Sequence, residues 1–389
     1  LPSRFVIASA GAGKTTTLVG DALEAAEANR TVLILTYTRN NQVEVIKKIR
    51  EVKGHIPDKI RVKGWFSFLL EEIIRPYQRC FFDQRISNVQ FDVSDPHKRD
   101  RYSIPGRAEI IGGRVNSRHY LVNGKAHTTY ISKLAVKICQ KRKQGRGRAA
   151  TYDPIQRLSA IYDLIIIDEV QDLVGWDFSL IELILSSCPV ELLCVGDFRQ
   201  TIYQTSHATK NPRASLQKKQ WFLDKNFECI DENHSYRCIQ MICNLADLVH
   251  ANEAYKPTVS RAAPVPDGLD DHVGAFSVRE EDFPAYMDRY NPIILRWDVR
   301  ARPDLCSGHV CQNFGESKGS TYDRVLILPT TSIRQFLLGN FGPIRSSEKA
   351  LNKLYVAITR ARYSVAFLTN DASRLDNLPI WHPAENGDL

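Results

Sequence analysis

The sequence predicts an α/β protein with two parallel sheets and a small basic insertion, and three observations carry that expectation. First, Phe5-Val6-Ile7-Ala8, Val32-Leu33-Ile34-Leu35, Leu164-Ile165-Ile166-Ile167 and Leu192-Leu193-Cys194-Val195 are continuous apolar runs, as strands covered on both faces are. Second, each gives way to a polar or glycine-rich stretch and then a helical pattern, the layout of βαβ units. Third, a later set repeats the arrangement: Ile293-Ile294-Leu295, Val325-Leu326-Ile327-Leu328 and Val365-Ala366-Phe367-Leu368. Two sheets imply two α/β domains.

The chain has 389 residues, 43% apolar and 25% charged, enough for two or three ordinary globular cores. No apolar run nears the roughly 20 residues that span a bilayer. The N-terminus lacks a signal-peptide pattern. It begins with Leu1 rather than Met, which leaves room for a leader, tag or first segment ahead of it. A cytoplasmic location and no membrane contact are expected. The nine cysteines are odd in number and form no Cys-x-x-Cys pair, which fits reduced thiols. The tightest cluster, Cys306-x-x-His309-x-Cys311, lacks a fourth ligand for zinc.

Residues 76–151 fit neither strand nor helix patterns well and read as an insertion into the first domain. Gly106, Gly112, Gly113 and Gly124 punctuate the stretch. It ends in the basic run from Lys141, Arg142 and Lys143 to Arg148. The formal charge of +8 is concentrated here: Arg85 to Arg148 holds fifteen Lys/Arg and four Asp/Glu, a net of +11. Such a concentration suits a polyanion.

The chemistry starts at Ala8-Ser9-Ala10-Gly11-Ala12-Gly13-Lys14-Thr15. Glycines between a strand and a helix let backbone N–H groups converge on phosphate oxygens, at the positive end of the helix. Lys14 would reach the β- and γ-phosphates, and the Thr15 hydroxyl would sit on Mg²⁺. Ala8 stands where the strict pattern asks for glycine. At the end of another buried strand come Asp168 and Glu169. Asp168 would hold Mg²⁺, and Glu169 would orient or deprotonate the attacking water. Capping the helix that follows is the structural alternative for both.

With these residues in view, the chain resembles superfamily 1 helicases of the UvrD/Rep type, which accept alanine at the first loop position. Leu35-Thr36-Tyr37-Thr38-Arg39 resembles motif Ia, and Val62-Lys63-Gly64-Trp65-Phe66-Ser67-Phe68 resembles motif Ib. Val195-Gly196-Asp197-Phe198-Arg199-Gln200-Thr201-Ile202-Tyr203 is similar to motif III, and Ser235-Tyr236-Arg237-Cys238 to motif IV. Gly315-Glu316-Ser317-Lys318-Gly319-Ser320-Thr321-Tyr322-Asp323 resembles motif V. Leu354-Tyr355-Val356-Ala357-Ile358-Thr359-Arg360-Ala361-Arg362 is a close likeness of motif VI. The motifs occur in order along nearly the whole chain.

The resemblance implies two RecA-like domains, over residues 1–75 with 152–212 and over 213–389, split by the insertion at 76–151. It implies ATP and Mg²⁺ as cofactors, with Ala10, Gly11, Ala12, Gly13, Lys14, Thr15, Thr16 and Gly319 holding nucleotide. Thr15 and Asp168 would hold the metal. Gln200 would sense the γ-phosphate, and Arg237 and Arg360 would act as arginine fingers in an interdomain cleft. Tyr37, Arg39, Trp65, Phe66, Tyr203 and Ser317, with Lys141, Arg142 and Lys143, would meet single-stranded DNA or a tailed duplex. Aromatic rings suit that task because every base offers a π-face. Core packing is the alternative for Trp65 and Phe68.

Some positions depart from the family. Arg39 replaces a usual asparagine, and Thr205 stands where relatives often carry a stacking aromatic. No adenine-reading glutamine precedes the loop. Arg237 to Gly315 spans only about eighty residues, leaving no room for the large accessory domain usual there. The stretch after Arg362 is too short for a nuclease domain. The expected activity is an ATP-dependent single-strand translocase or helicase, moving 3′ to 5′. The rival is an ATP-gated regulatory subunit controlling a partner nuclease or a repair or defence factor. A small-molecule kinase would leave Gln200, Arg360 and the basic segment without a role.

Overall fold

Burial on both faces sets the central strands. The computed structural model describes residues 3–140 and 154–383, apart from 92–93, 100, 188, 208, 252, 254 and 376–377. One sheet holds β1 (Arg4–Ala8), β2 (Val32–Thr36), β3 (Ile60–Gly64), β4 (Leu164–Ile167), β5 (Glu191–Gly196) and β6 (Glu228–Glu232), in the order β6-β1-β5-β4-β2-β3. β4 pairs in parallel with β5 and β2, and β2 with β3. Every residue of β2, β4 and β5 is buried. β3 and β6 lie at the edges and are partly exposed, so neither shows an apolar run. Helix α1 (Lys14–Glu27) has no acidic residue in its first turn, leaving its amide-rich end open to an anion. Helix α2 (Arg39–Lys53) is capped by Thr38, which accepts from Asn41 N at 3.2 Å, and ends at Gly54 in the left-handed region.

The insertion is built from strands of two or three residues and one long helix. Val89–Gln90 pairs with Lys125–His127, which also pairs with Leu121–Val122. Helix α3 (Thr128–Gln140) then packs along α4 (Trp176–Ser187). Burial would raise Glu109, but Lys133 at 2.7 Å, Lys137 at 2.8 Å and the Tyr120 hydroxyl at 2.7 Å hold it at about 2. Part of the segment's positive charge is therefore structural.

Asp177 on α4 is completely buried. Its carboxylate accepts from Trp65 Nε1 at 2.9 Å, from Val174 N at 2.9 Å, and from the hydroxyls of Ser132 and Thr205. Burial raises its pKa, and these four donors act against that. Thr205 is thus an internal anchor, and Trp65 is core, with 2% of its surface exposed.

By packing, the chain divides into two units. The first holds residues up to Val6, Lys14–Gly196 and Tyr203–Ile230; the second holds Ile7–Gly13, Asp197–Ile202 and the chain from Asp231 on. The break falls after Ile230, later than the expected 212/213. Helix α5 (Ser215–Asp224) stays with the first unit because Phe222 stacks on Phe5, ring centroids 4.0 Å apart. Lys218, also on α5, is fully buried and donates to Gln171 O at 2.6 Å.

The second unit contains a five-stranded sheet of β7 (Gly274–Val278), β8 (Ile293–Arg296), β9 (Cys311–Asn313), β10 (Tyr322–Ile327) and β11 (Ala361–Leu368). Its order is β7-β11-β10-β8-β9, with all four pairings parallel. Alternate residues feed opposite faces. Val325, Ile327, Val365 and Phe367 join one apolar cluster with α6 (Gln240–Val249) and α7 (Glu348–Ile358). Leu326, Ala366 and Leu368 join another with Tyr286 and Trp381. The α/β class with parallel sheets is as expected from sequence. No helix among the described residues is long and apolar enough to cross a membrane.

Asp177→Ala should lower the unfolding free energy by about 3–5 kcal/mol, because four buried donors lose their acceptor. Urea denaturation of the variant beside the parent measures this.

Candidate nucleotide site and strand groove

β1 delivers the chain into a loop that needs glycine. Gly11 and Gly13 have φ of +77° and +78°. A Cβ on Gly11 would lie 2.6 Å from Arg237 Cβ and 2.7 Å from Ser235 Oγ. The loop is held from the side by backbone and hydroxyl bonds. Ser9 N donates to Glu232 O at 2.9 Å, Ser235 Oγ to Ala10 O at 2.8 Å, and Tyr236 N to Gly11 O at 2.9 Å. Ala10 N donates to the Tyr355 hydroxyl at 3.3 Å.

The two candidate fingers converge in the same unit. Arg237 Nη1 donates to Thr359 O at 3.0 Å. Arg360 is 1% exposed, and its Nη2 donates to Thr359 Oγ1 and to Gln200 Oε1, each at 3.3 Å. Its Nη1 donates to the carbonyl of Ser320, next to Gly319, at 3.2 Å. Gln200 Nε2 in turn donates to Asp197 Oδ2 at 2.9 Å. Ala10, Gly11, Ala12, Gly13, Gln200, Arg237, Gly319 and Arg360 therefore belong to one packed unit.

Lys14, Thr15, Thr16, Asp168 and Glu169 belong to the other. Asp168 follows β4, where its N–H donates to Leu35 O at 2.8 Å. Its carboxyl is pushed up to about 7 by burial first and by Glu169 second, with Lys14 pulling the other way and Glu44 adding to the rise. Thr15 Oγ1 donates to Glu44 Oε1 at 3.1 Å. Glu169 sits in the left-handed region at φ +53°, a conformation costing of order 1 kcal/mol for a residue with a Cβ. Its N–H donates to Asp168 Oδ1 at 2.9 Å, and Gln171 Nε2 donates to its carboxylate. A hydroxyl and a buried carboxylate crowded by further acids are the oxygen donors Mg²⁺ prefers, and a divalent cation would relieve the crowding. These residues fit the metal. The Cys306–Cys311 cluster forms no metal site among the described residues, and both thiols are free.

Arg199 carries a role that sequence reasoning missed. It is 2% exposed, and its guanidinium bonds Asp197 at 3.0 Å, Asp247 at 3.2 Å and Ser9 Oγ at 2.9 Å. It also lies over the rings of Tyr255 and Tyr355, at 4.7 and 4.8 Å from their centroids. Asp197 holds Gln200, so Arg199 positions Gln200 and braces the phosphate loop at Ser9. A single arginine in a sequence carries no such signal, because most arginines are solvated.

In the first unit, Tyr37, Arg39 and Phe66 line one cavity of about 560 Å³, the clearest convergence of the expected strand contacts. Tyr203 is 38% exposed. Two further expected contacts are buried. Trp65 also lines this cavity, but it is almost fully buried and its indole N–H is taken by Asp177. Ser317 is fully buried, and its hydroxyl donates to Phe314 O at 2.8 Å. Lys141, Arg142 and Lys143 lie outside the described residues.

A family model described as an AAA domain matches residues 2–206, more than half of the chain. The chain belongs to that AAA-domain family. The AAA-domain match contains the phosphate loop, Asp168, Glu169, Arg199 and Gln200; Arg237 and Arg360 lie beyond it. No curated protein matches the chain. Among solved structures, it is similar to an arterivirus helicase, nonstructural protein 10, determined in complex with DNA, at 15% identity and a TM-score of 0.43. That alignment covers 95% of this chain and 60% of the viral one, so this AAA-domain protein spans about 60% of that helicase's length.

Two outcomes follow from the geometry. Asp168 binds a proton more tightly folded than unfolded, so metal-free stability should fall as pH rises from about 4 through about 7. Asp168→Asn should lack that slope and melt higher than the parent at pH 8 in chelator, and added Mg²⁺ should restore only the parent. Melting curves across pH with and without Mg²⁺ check this. Gly11→Ala should strain the loop by of order 1–2 kcal/mol before any clash with Arg237, and should weaken ATP binding about tenfold or more by calorimetry.

Proposed function

We propose that this AAA-domain protein is an ATP-driven motor on nucleic acid, a superfamily 1 helicase or translocase of UvrD/Rep type. The observation that carries the reading is the convergence of Arg237 and Arg360 on Thr359, with Gln200 bonded to Arg360 and Gly11 packed on Arg237. Binding alone needs a phosphate loop. Two arginines and a glutamine brought to that loop are the equipment of γ-phosphate cleavage.

In this reading the loop amides and the start of α1 cradle the phosphates, and Lys14 meets the β- and γ-oxygens. Thr15 and Asp168 would hold Mg²⁺, which when bound would supply charge neutralisation for the phosphates. Glu169 takes the proton of the attacking water, its orientation set by Gln171 and by its left-handed backbone. Arg237 and Arg360 stabilise the charge that develops on the transferred group. Gln200 reports the γ-phosphate and is held in register by Asp197 and Arg199. Tyr37, Arg39, Phe66 and Tyr203 take single-stranded DNA, travelled 3′ to 5′, with the basic segment at Lys141–Lys143 meeting its phosphates.

Lys14→Ala and Glu169→Gln should each lower turnover about 100-fold or more, while the Glu169 variant still binds ATP. ATPase assays with and without single-stranded oligonucleotide, beside strand displacement on 3′- and 5′-tailed duplexes, test the motor. No stimulation by any nucleic acid would sink it and favour an ATP-gated subunit acting through a partner.

A further inference from the structure

Phe91 lies in the insertion, just past the strand Val89–Gln90, and is 69% exposed. A single exposed phenylalanine is ordinary. This one belongs to a row. Its ring meets Phe66 edge to face, centroids 5.5 Å apart and planes at 82°, and Phe66 meets Tyr37 at 6.0 Å and 60°. Phe66 is buried, so the row runs from a covered ring out to an open one. All three line the cavity of about 560 Å³. The edge contact orients Phe91 while leaving most of its area to a ligand.

Charge at the same wall completes the match. Arg39 is exposed, and its guanidinium has no ion-pair or hydrogen-bond partner among the described residues. Arg75 donates to the carbonyls of Ile86 and Ser87, which fix it to the insertion and leave its charge unneutralised. Glu71, on the same wall, is paired with Lys63 at 2.8 Å. The cavity thus offers aromatic area beside uncompensated guanidinium charge. A nucleotide within a single strand has that complement: a flat base for the rings and a phosphate for the arginine. A base inside a duplex is already stacked on both faces.

We infer that Phe91 is a base-stacking residue supplied by the insertion, forming one wall for a single unpaired nucleotide beside Tyr37, Phe66 and Arg39. The inference rests on the strand-binding reading above and adds to it a residue and a one-nucleotide subsite. Stacking reads no base edge, so the subsite tolerates sequence.

The test titrates the full chain into fluorescein-labelled oligothymidine and oligouridine in separate arms, and into a strand carrying 2-aminopurine. Phe91→Ala and Phe91→Leu should weaken binding about 5- to 150-fold, and Phe91→Trp should keep it within about 3-fold. The slope of affinity against salt should stay that of the parent, because no phosphate contact is removed. Parent and Trp variant should quench 2-aminopurine; the Ala and Leu variants should not. Leu keeps apolar volume, and melting temperatures show that each variant is folded. Parent-like affinity and quenching in the Ala and Leu variants overturns the inference alone. A parent that binds neither strand overturns the strand reading and this inference with it.

Discussion

The first unit hangs on a carboxylate that never meets water. Burying an ion costs several kcal/mol unless its lone pairs are filled, and Asp177 fills them with donors from four separate stretches of chain. Trp65 brings the turn after β3, Ser132 brings the insertion helix, Val174 brings the start of α4, and Thr205 brings the segment that follows Tyr203. Displacing any one leaves a buried donor or acceptor unpaired. The cavity wall at Phe66 and the exposed ring of Tyr203 are each within two residues of such an anchor, so a buried bond network places both.

Asp168 shows the opposite design with the same residue type. Both carboxyls are buried and both are raised by burial. Asp177 is compensated by hydroxyl, indole and amide donors. Asp168 has Glu169 and Glu44 nearby, opposed by Lys14 and by one backbone donor, the Glu169 N–H, so burial still leaves its carboxyl raised. A buried carboxyl so strongly perturbed, at the end of a parallel strand, marks a candidate functional site. The strained backbone of Glu169 beside it points the same way.

In the second unit, helix α7 does two jobs. Tyr355 accepts from the loop amide of Ala10 and donates to Asp197, while Thr359, at the end of the same helix, gathers Arg237 and Arg360. Arg199 lies against the Tyr355 ring and braces Ser9. One buried arginine and one helix thereby set the loop, the glutamine and both candidate fingers in a common frame.

Much of this was legible in the chain itself. The interior strands declared themselves because burial on both faces favours continuous apolar runs: Val32–Leu35, Leu164–Ile167 and Leu192–Val195 form the bodies of β2, β4 and β5. The loop at Gly11–Thr15 was legible because left-handed backbone beside phosphate leaves little choice but glycine. Asp168 and Glu169 were legible from their place after β4. Edge strands β3 and β6 were not, since half-solvated strands mix polar and apolar residues freely. Motif spacing singled out Trp65, Ser317 and Thr205, but whether a side chain faces solvent or core depends on partners distant in sequence. Only the tertiary structure decided that Trp65 and Thr205 serve Asp177, that Ser317 is covered, that Arg199 is a buried brace, and that Phe91 joins the row of Tyr37 and Phe66. The reason is physical: a strand's burial or a loop's φ is a local demand that one residue type can meet, whereas a buried charge or an aromatic row is satisfied by whichever side chains the fold brings near.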